Sequence, residues 1–184
     1  QELDCPIHIH SGAAPDMQDL EGMMGVYLME FHWWAARPLW TMIFGGVFER
    51  FPKLKLAMTE TGEFWIPGMI EMMDIRASVK HTSGKLGDFR SNLKMKPSEY
   101  FTRNIRVGAS LLDRECMEVR HKIGISCLMW GTDYPHPEGL WPKTHEKMIS
   151  AFKGLPEGEL TAILGMNAVE FYNLDGDKLN AIAQ

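Results

Sequence analysis

The run Ile125-Ser-Cys-Leu-Met-Trp130 is apolar almost throughout and stops abruptly at Gly131-Thr132-Asp133. A run too short for a helix, closed by glycine and a carboxylate, marks a buried parallel strand whose C-terminal end carries polar chemistry. Three other stretches read as strands. Cys5 to His10 is short and β-branched, is predicted to be buried, and is ended by Ser11-Gly12 and a Gly- and Met-rich loop up to about Glu30. Leu54 to Thr59 and a weaker run, Asn104 to Val107, complete the set. Between them the apolar spacing turns helical. A helix is predicted from Pro38, at its first turn, to Phe51, with Pro52 stopping it. Another spans Trp65 to Val79 on the stripe Ile66, Met69, Ile70 and Met73, whose methionines read as core filler. His81 to Pro97 reads as a long connection. Asp113 can cap a helix running to about Lys122, and Leu160, Ile163, Leu164, Ala168 and Phe171 form an amphipathic stripe behind Pro156. Strand and helix thus alternate four times, which predicts one α/β domain over residues 1–184, a parallel sheet covered by helices.

Composition narrows the function. With 45% apolar and 23% charged residues, the 184-residue chain can bury one sizeable core. Its formal charge of −5 and its singly scattered basic residues argue against nucleic acid and anionic membrane as partners. The longest nearly apolar run, Leu39 to Phe48, holds Thr41 and two glycines and is far shorter than the roughly 20 residues a bilayer span needs. Cys5, Cys116 and Cys127 lack CxxC spacing, and no signal-peptide pattern opens the sequence, so reduced thiols and a cytoplasmic location are expected. Cys127 reads as a small buried hydrophobe. No GxSxG elbow, phosphate loop or GxGxxG turn is present, so serine-hydrolase, nucleotide-phosphate and dinucleotide chemistries lack their parts.

In a parallel α/β arrangement the active site gathers at the C-terminal ends of the strands. His10, Glu60 and Asp133 each end a predicted strand, and one imidazole with two carboxylates suits Zn, Mn or Fe. They are the candidate ligands. Asp133 stands in Gly131-Thr-Asp-Tyr-Pro-His136, where the turn, the prolines and His136 hold a carboxylate in a fixed direction, as a ligand or general base requires. Asp133, Glu60 and His136 are therefore the candidate catalytic residues. Glu60 has three open roles: ligand, base activating metal-bound water, or partner of Arg76. His8 shares a strand face with His10, one layer deeper, and is either a second ligand or, as favoured here, a packed, hydrogen-bonded core histidine. Trp65, Trp130, Trp141 and Tyr134 are expected at the site mouth, and His32, His81, His121 and His145 at the solvated surface.

These residues resemble the amidohydrolase-related family that includes aminocarboxymuconate-semialdehyde decarboxylase and γ-resorcylate decarboxylase. PIHIHSG from Pro6 resembles its fifth barrel strand, and GVFERFPKLKLAMTETGEFWIP from Gly46 its helix and sixth strand. MWGTDYPHPEGLWP from Met129 resembles the eighth strand with its aspartate, and ILGMNAVEFYNLD from Ile163 the closing helix. The resemblance implies the C-terminal half, strands 5 to 8, of a (β/α)₈ barrel. It further implies a divalent cation, zinc foremost with manganese or iron as alternatives, held by His10 and Asp133, with Asp133 taking a proton from water or substrate. The family's first-strand HxH would lie upstream of Gln1, so the chain alone is expected to bind metal weakly. Glu60 stands where the decarboxylases carry histidine. The expected activity is therefore hydrolysis of a small carbonyl, ester, lactone or amide substrate, with decarboxylation of an aromatic or muconate-like acid as the alternative. A non-catalytic half-barrel that pairs with another copy or with a missing half is the third. A homo-oligomer is expected, because four β/α units leave two open sheet edges.

Overall fold

In the computed structural model, which describes residues 1–10, 21–79, 85–108 and 112–183, the strands are short and all parallel. β1 (Ile7–His10) is followed by α1 (Met23–Phe44) and α2 (Val47–Arg50), then β2 (Leu56–Thr59) and α3 (Ile66–Ser78). α4 (Pro97–Asn104) leads into β3 (Ile105–Gly108), α5 (Arg114–Ile123) and β4 (Leu128–Met129). α6 (Thr144–Phe152), α7 (Glu157–Thr161), α8 (Asn167–Tyr172) and α9 (Gly176–Ala183) complete the order. Space order follows chain order, β1-β2-β3-β4, with His10 opposite Thr59, Thr59 opposite Gly108, and Gly108 opposite Met129. The strand ends that carry the candidate residues therefore lie level.

Alternation along the strands sorts side chains to the two faces. Leu56, Met58, Ile105, Val107 and Leu128 point into the main core against Leu39 and Ile43 of α1, Met69 and Met73 of α3, and Met117 of α5. Each such side chain contributes about 1.5–3 kcal/mol by leaving water. On the opposite face Ala57 and Met129 meet Phe171 of α8, with Ala168 and Tyr172 beside them. Gly108 is required where it stands: φ is 124°, and a Cβ there would run into the Met129 carbonyl oxygen of the neighbouring strand.

The structure corrects several expectations. β1 is not buried: Ile7 is 44% exposed at the sheet edge, because no strand covers its outer side among the described residues. The helix expected at Pro38 begins at Met23 and carries Pro38 inside it. It breaks at Gly45-Gly46, where Gly46 adopts φ 67°, rather than running on to Phe51. α4 lies where no element was assigned; Glu99 accepts from the Lys96 N–H at 2.8 Å, and Tyr100 and Phe101 are buried. Of Ile125 to Trp130, only Leu128–Met129 pair as a strand, after a 3₁₀ turn over Ile125–Cys127. The amphipathic stripe behind Pro156 is one helical run interrupted by a π turn, Ala162–Met166. Buried Asn167 follows it and donates to the carbonyls of Ile125 and Leu128, both at 2.7 Å, fastening α8 to β4. Asp113 caps α5 as expected, accepting from the Cys116 N–H at 2.8 Å, and Cys127 is fully buried. Ser11, Gly12 and His81 lie outside the described residues.

Candidate active site

Glu60 and Asp133 both follow strands, and both adopt left-handed backbone, φ 53° and 58°. Neither is glycine, so each conformation carries strain that the surroundings must hold in place, a pattern that concentrates at functional sites. Beyond Asp133 the chain winds tightly. The N–H of His136 donates to the Asp133 carbonyl at 2.8 Å, that of Gly139 to the His136 carbonyl at 2.9 Å, and that of Leu140 to the Thr132 carbonyl at 3.0 Å. This coil returns the imidazole to the carboxylate: His136 Nδ1 lies 3.4 Å from Asp133 Oδ2.

Glu60, Asp133 and His136 each offer a donor atom, and these atoms all lie within 4.8 Å of one another. His10 reaches the group through Glu60, its Nε2 3.2 Å from Oε2. Three of the four expected residues thus converge directly, and the fourth joins by its contact with Glu60. The expected ligand trio of His10, Glu60 and Asp133 is not the one drawn closest; His136 takes the place of His10. Burial raises the Glu60 pKa, the hydrogen bond and negative charge of Asp133 raise it further, and His10 and His136 partly oppose them. Two carboxylates this close repel when both are ionised, and a cation between them would relieve that repulsion. The donor set of two carboxylates and one imidazole therefore fits a divalent metal ion.

The other candidates fall elsewhere. His8 hydrogen-bonds with both ring nitrogens, to Thr59 Oγ1 at 3.3 Å and Tyr172 Oη at 3.1 Å, and stacks on Tyr172, but it is exposed on the edge strand rather than placed in the core. Arg76 lies along an outer groove beside Trp33, Trp40 and Phe44, and Glu60 pairs with His10 instead. Tyr134 and Trp141 are exposed and meet edge to face at 6.2 Å. Trp130 and Trp141 line a cavity of about 600 Å³ with Asp113, Glu138, Lys143 and Lys147, beside the Asp133 loop, and none of the four converging residues lines it. Trp65 is partly buried against the core, its Nε1–H donating to the Thr61 carbonyl at 2.8 Å. His121 and His145 are exposed as expected, but His32 is not a solvated residue: its Nδ1 contacts the Thr61 carbonyl at 2.7 Å and its ring packs between Phe31 and Phe64. Glu63, which no sequence signal singles out, is only 7% exposed, and burial and the Asp113 charge push its pKa up to about 8. Nothing local in the sequence marks His32 or Glu63, because the partners of each come from a distant element.

The sequence model of the amidohydrolase family matches residues 1–174. The chain belongs to the amidohydrolase family. It is similar to a 2-amino-3-carboxymuconate-6-semialdehyde decarboxylase of Dictyostelium discoideum, 31% identical over 141 residues, which is 75% of this chain and 36% of that protein. Its fold resembles an amidohydrolase of Mycobacterium avium subsp. paratuberculosis, with a TM-score of 0.72, 22% identity, and coverage of 93% of this chain and 43% of that one. A dihydroxybenzoic acid decarboxylase of a Polaromonas species, solved with manganese and 2-nitroresorcinol, gives a TM-score of 0.66 at 18% identity, over 94% and 51% of the two chains. This amidohydrolase-family chain thus spans between about a third and about half of the length of these relatives, and its four parallel strands with their helices are about half of such a barrel.

Proposed function

We propose that the protein carrying this chain is a metal-dependent enzyme that removes carbon dioxide from a small aromatic or muconate-like acid. The convergence of Glu60, Asp133 and His136 at the strand ends carries this reading. Support for the reaction comes from the two relatives named as decarboxylases. Glu60, Asp133 and His136 are the residues that would hold the metal, with His10 steadying the Glu60 carboxylate. Two oxygen donors to one nitrogen favour manganese over the zinc first expected, and the Polaromonas enzyme was solved with manganese. When bound, such an ion supplies positive charge that polarises a substrate carboxylate or hydroxyl.

The chain's own residues handle the proton. Loss of carbon dioxide breaks the bond between carboxylate and carbon, leaves the electron pair on that carbon, and requires one proton in return. Asp133, with His136 3.4 Å away, can take up a proton and give it back at the same place. Hydrolysis of an ester, lactone or amide is the second reading, favoured by one observation: Glu60 stands beside Asp133 as a second carboxylate able to take a proton from water. A substrate panel separates them. Manganese-dependent release of carbon dioxide from aromatic or muconate-like acids is the expected result, whereas turnover of lactones or amides alone would establish hydrolysis. The exposed edge of β1, with Leu3 and Ile7 open to solvent, supports pairing with a further copy or further chain.

A further inference from the structure

We infer that His32 and Trp65 are positioning residues for Glu60, acting by closing two N–H donors on the carbonyl of the next residue, Thr61. The inference rests on the reading of Glu60 as a metal ligand. Glu60 and Gly62 adopt φ 53° and 66°, so the chain leaves β2 through left-handed backbone twice within three residues. Such a turn keeps one shape only where its surroundings over-determine it. The Thr61 carbonyl, in a residue 1% exposed, accepts from His32 Nδ1 at 2.7 Å and from Trp65 Nε1 at 2.8 Å. A carbonyl only accepts, so His32 carries its proton on Nδ1. The two donors come from different elements, α1 and the start of α3, and together they occupy both lone pairs of one oxygen. The imidazole is itself held, its ring centroid 3.8 Å from that of Phe31 and 5.1 Å from that of Phe64. Gly62 completes the fit: a Cβ there would sit 3.0 Å from His32 Cε1, so the glycine gives the ring its place against the turn. That carbonyl belongs to the peptide unit joining Thr61 to Gly62, the middle of the turn, so the two donors pin the turn directly after Glu60 and thereby the left-handed conformation in which Glu60 is held.

The test is manganese binding by the intact protein, measured calorimetrically for the wild type and for Glu60→Gln, His32→Ala, His32→Asn and Trp65→Phe. His32→Ala is expected to weaken binding ~10- to 100-fold, the usual effect of removing a partner that orients a ligand. His32→Asn, whose amide N–H falls near the place of Nδ1–H, should recover most of that loss, and Trp65→Phe should lose at least ~10-fold on the same grounds. A purely structural histidine would not be rescued by asparagine in metal affinity. Should His32→Ala bind manganese like the wild type while Glu60→Gln does not, the positioning role is overturned and the ligand reading stands. Equal weakness of the Asn and Ala variants would also overturn it. If Glu60→Gln itself binds manganese normally, the ligand reading fails and the inference falls with it.

Discussion

Gly139 shows how closely the backbone around Asp133 is wound. A Cβ there would lie 2.8 Å from the Asp133 carbonyl oxygen, 2.9 Å from that of His136 and 3.0 Å from that of Thr132. All three are backbone atoms, so Gly139→Ala must shift the loop that joins the two site residues. Since a misplacement of ~1 Å can cost ~100-fold in rate, the variant is expected to lose about that much turnover with its melting temperature little changed. Unaltered kinetics would show that the loop does not set the site geometry. Glu63 makes a different prediction. Its folded pKa is raised to about 8 from the ordinary 4.5, so the protonated form is favoured by folding. Its contribution to stability is present below about pH 4.5 and lost as pH rises through about 8. Melting temperatures followed across that range should fall with pH, and Glu63→Gln, uncharged and of the same shape, should flatten the curve. The sequence points to His10, Glu60 and Asp133 because each ends a predicted strand, and to His136 because it stands in the turn after Asp133. It hides His32 and Glu63, whose roles come from Thr61 and Asp113 respectively.

At the scale of elements, the positions of the four strands were legible, as were α3 by its apolar stripe and α5 by its Asp113 cap. Boundaries failed where local signals misled. Pro38 reads as a helix start, yet α1 runs through it and forgoes one backbone bond, which Leu39 and Ile43 offset by burial in the core. α4 was hidden because its eight residues adjoin β3 without a break, so that buried Asn104, its last residue, was assigned to the following strand. Asn104 instead donates to the carbonyls of Pro52 and Leu54 at 2.9 and 2.8 Å, tying α4 to the approach to β2. Asn167 does the same between α8 and β4. Asn167→Ala takes the amide away from the Leu128 carbonyl and leaves the Ile125 carbonyl only the Leu128 N–H, and is expected to cost about 1–3 kcal/mol, read by urea unfolding. A loss below ~0.5 kcal/mol would mean that water replaces the amide.

Over the whole molecule, the parallel order was predictable from the alternation of strand and helix, but the exposure of β1 was not. An apolar run looks buried in sequence whether or not a neighbour covers it. Leu3 and Ile7 are open to solvent at the sheet edge, and Leu28 and Met29 of α1 are 54% and 70% exposed. Apolar surface of this kind is normally covered. In the intact protein Met29→Glu should lower the melting temperature or shift the assembly to smaller mass by light scattering; no change in either would show that this surface faces water. The account stands above all on the cation site. Manganese titrated into the intact protein should occupy one strong site per chain at the strand ends. Asp133→Asn should abolish that binding while the protein stays folded. Undiminished binding of one manganese ion by Asp133→Asn would contradict the account, because the ion would then be held without the carboxylate on which the site is built.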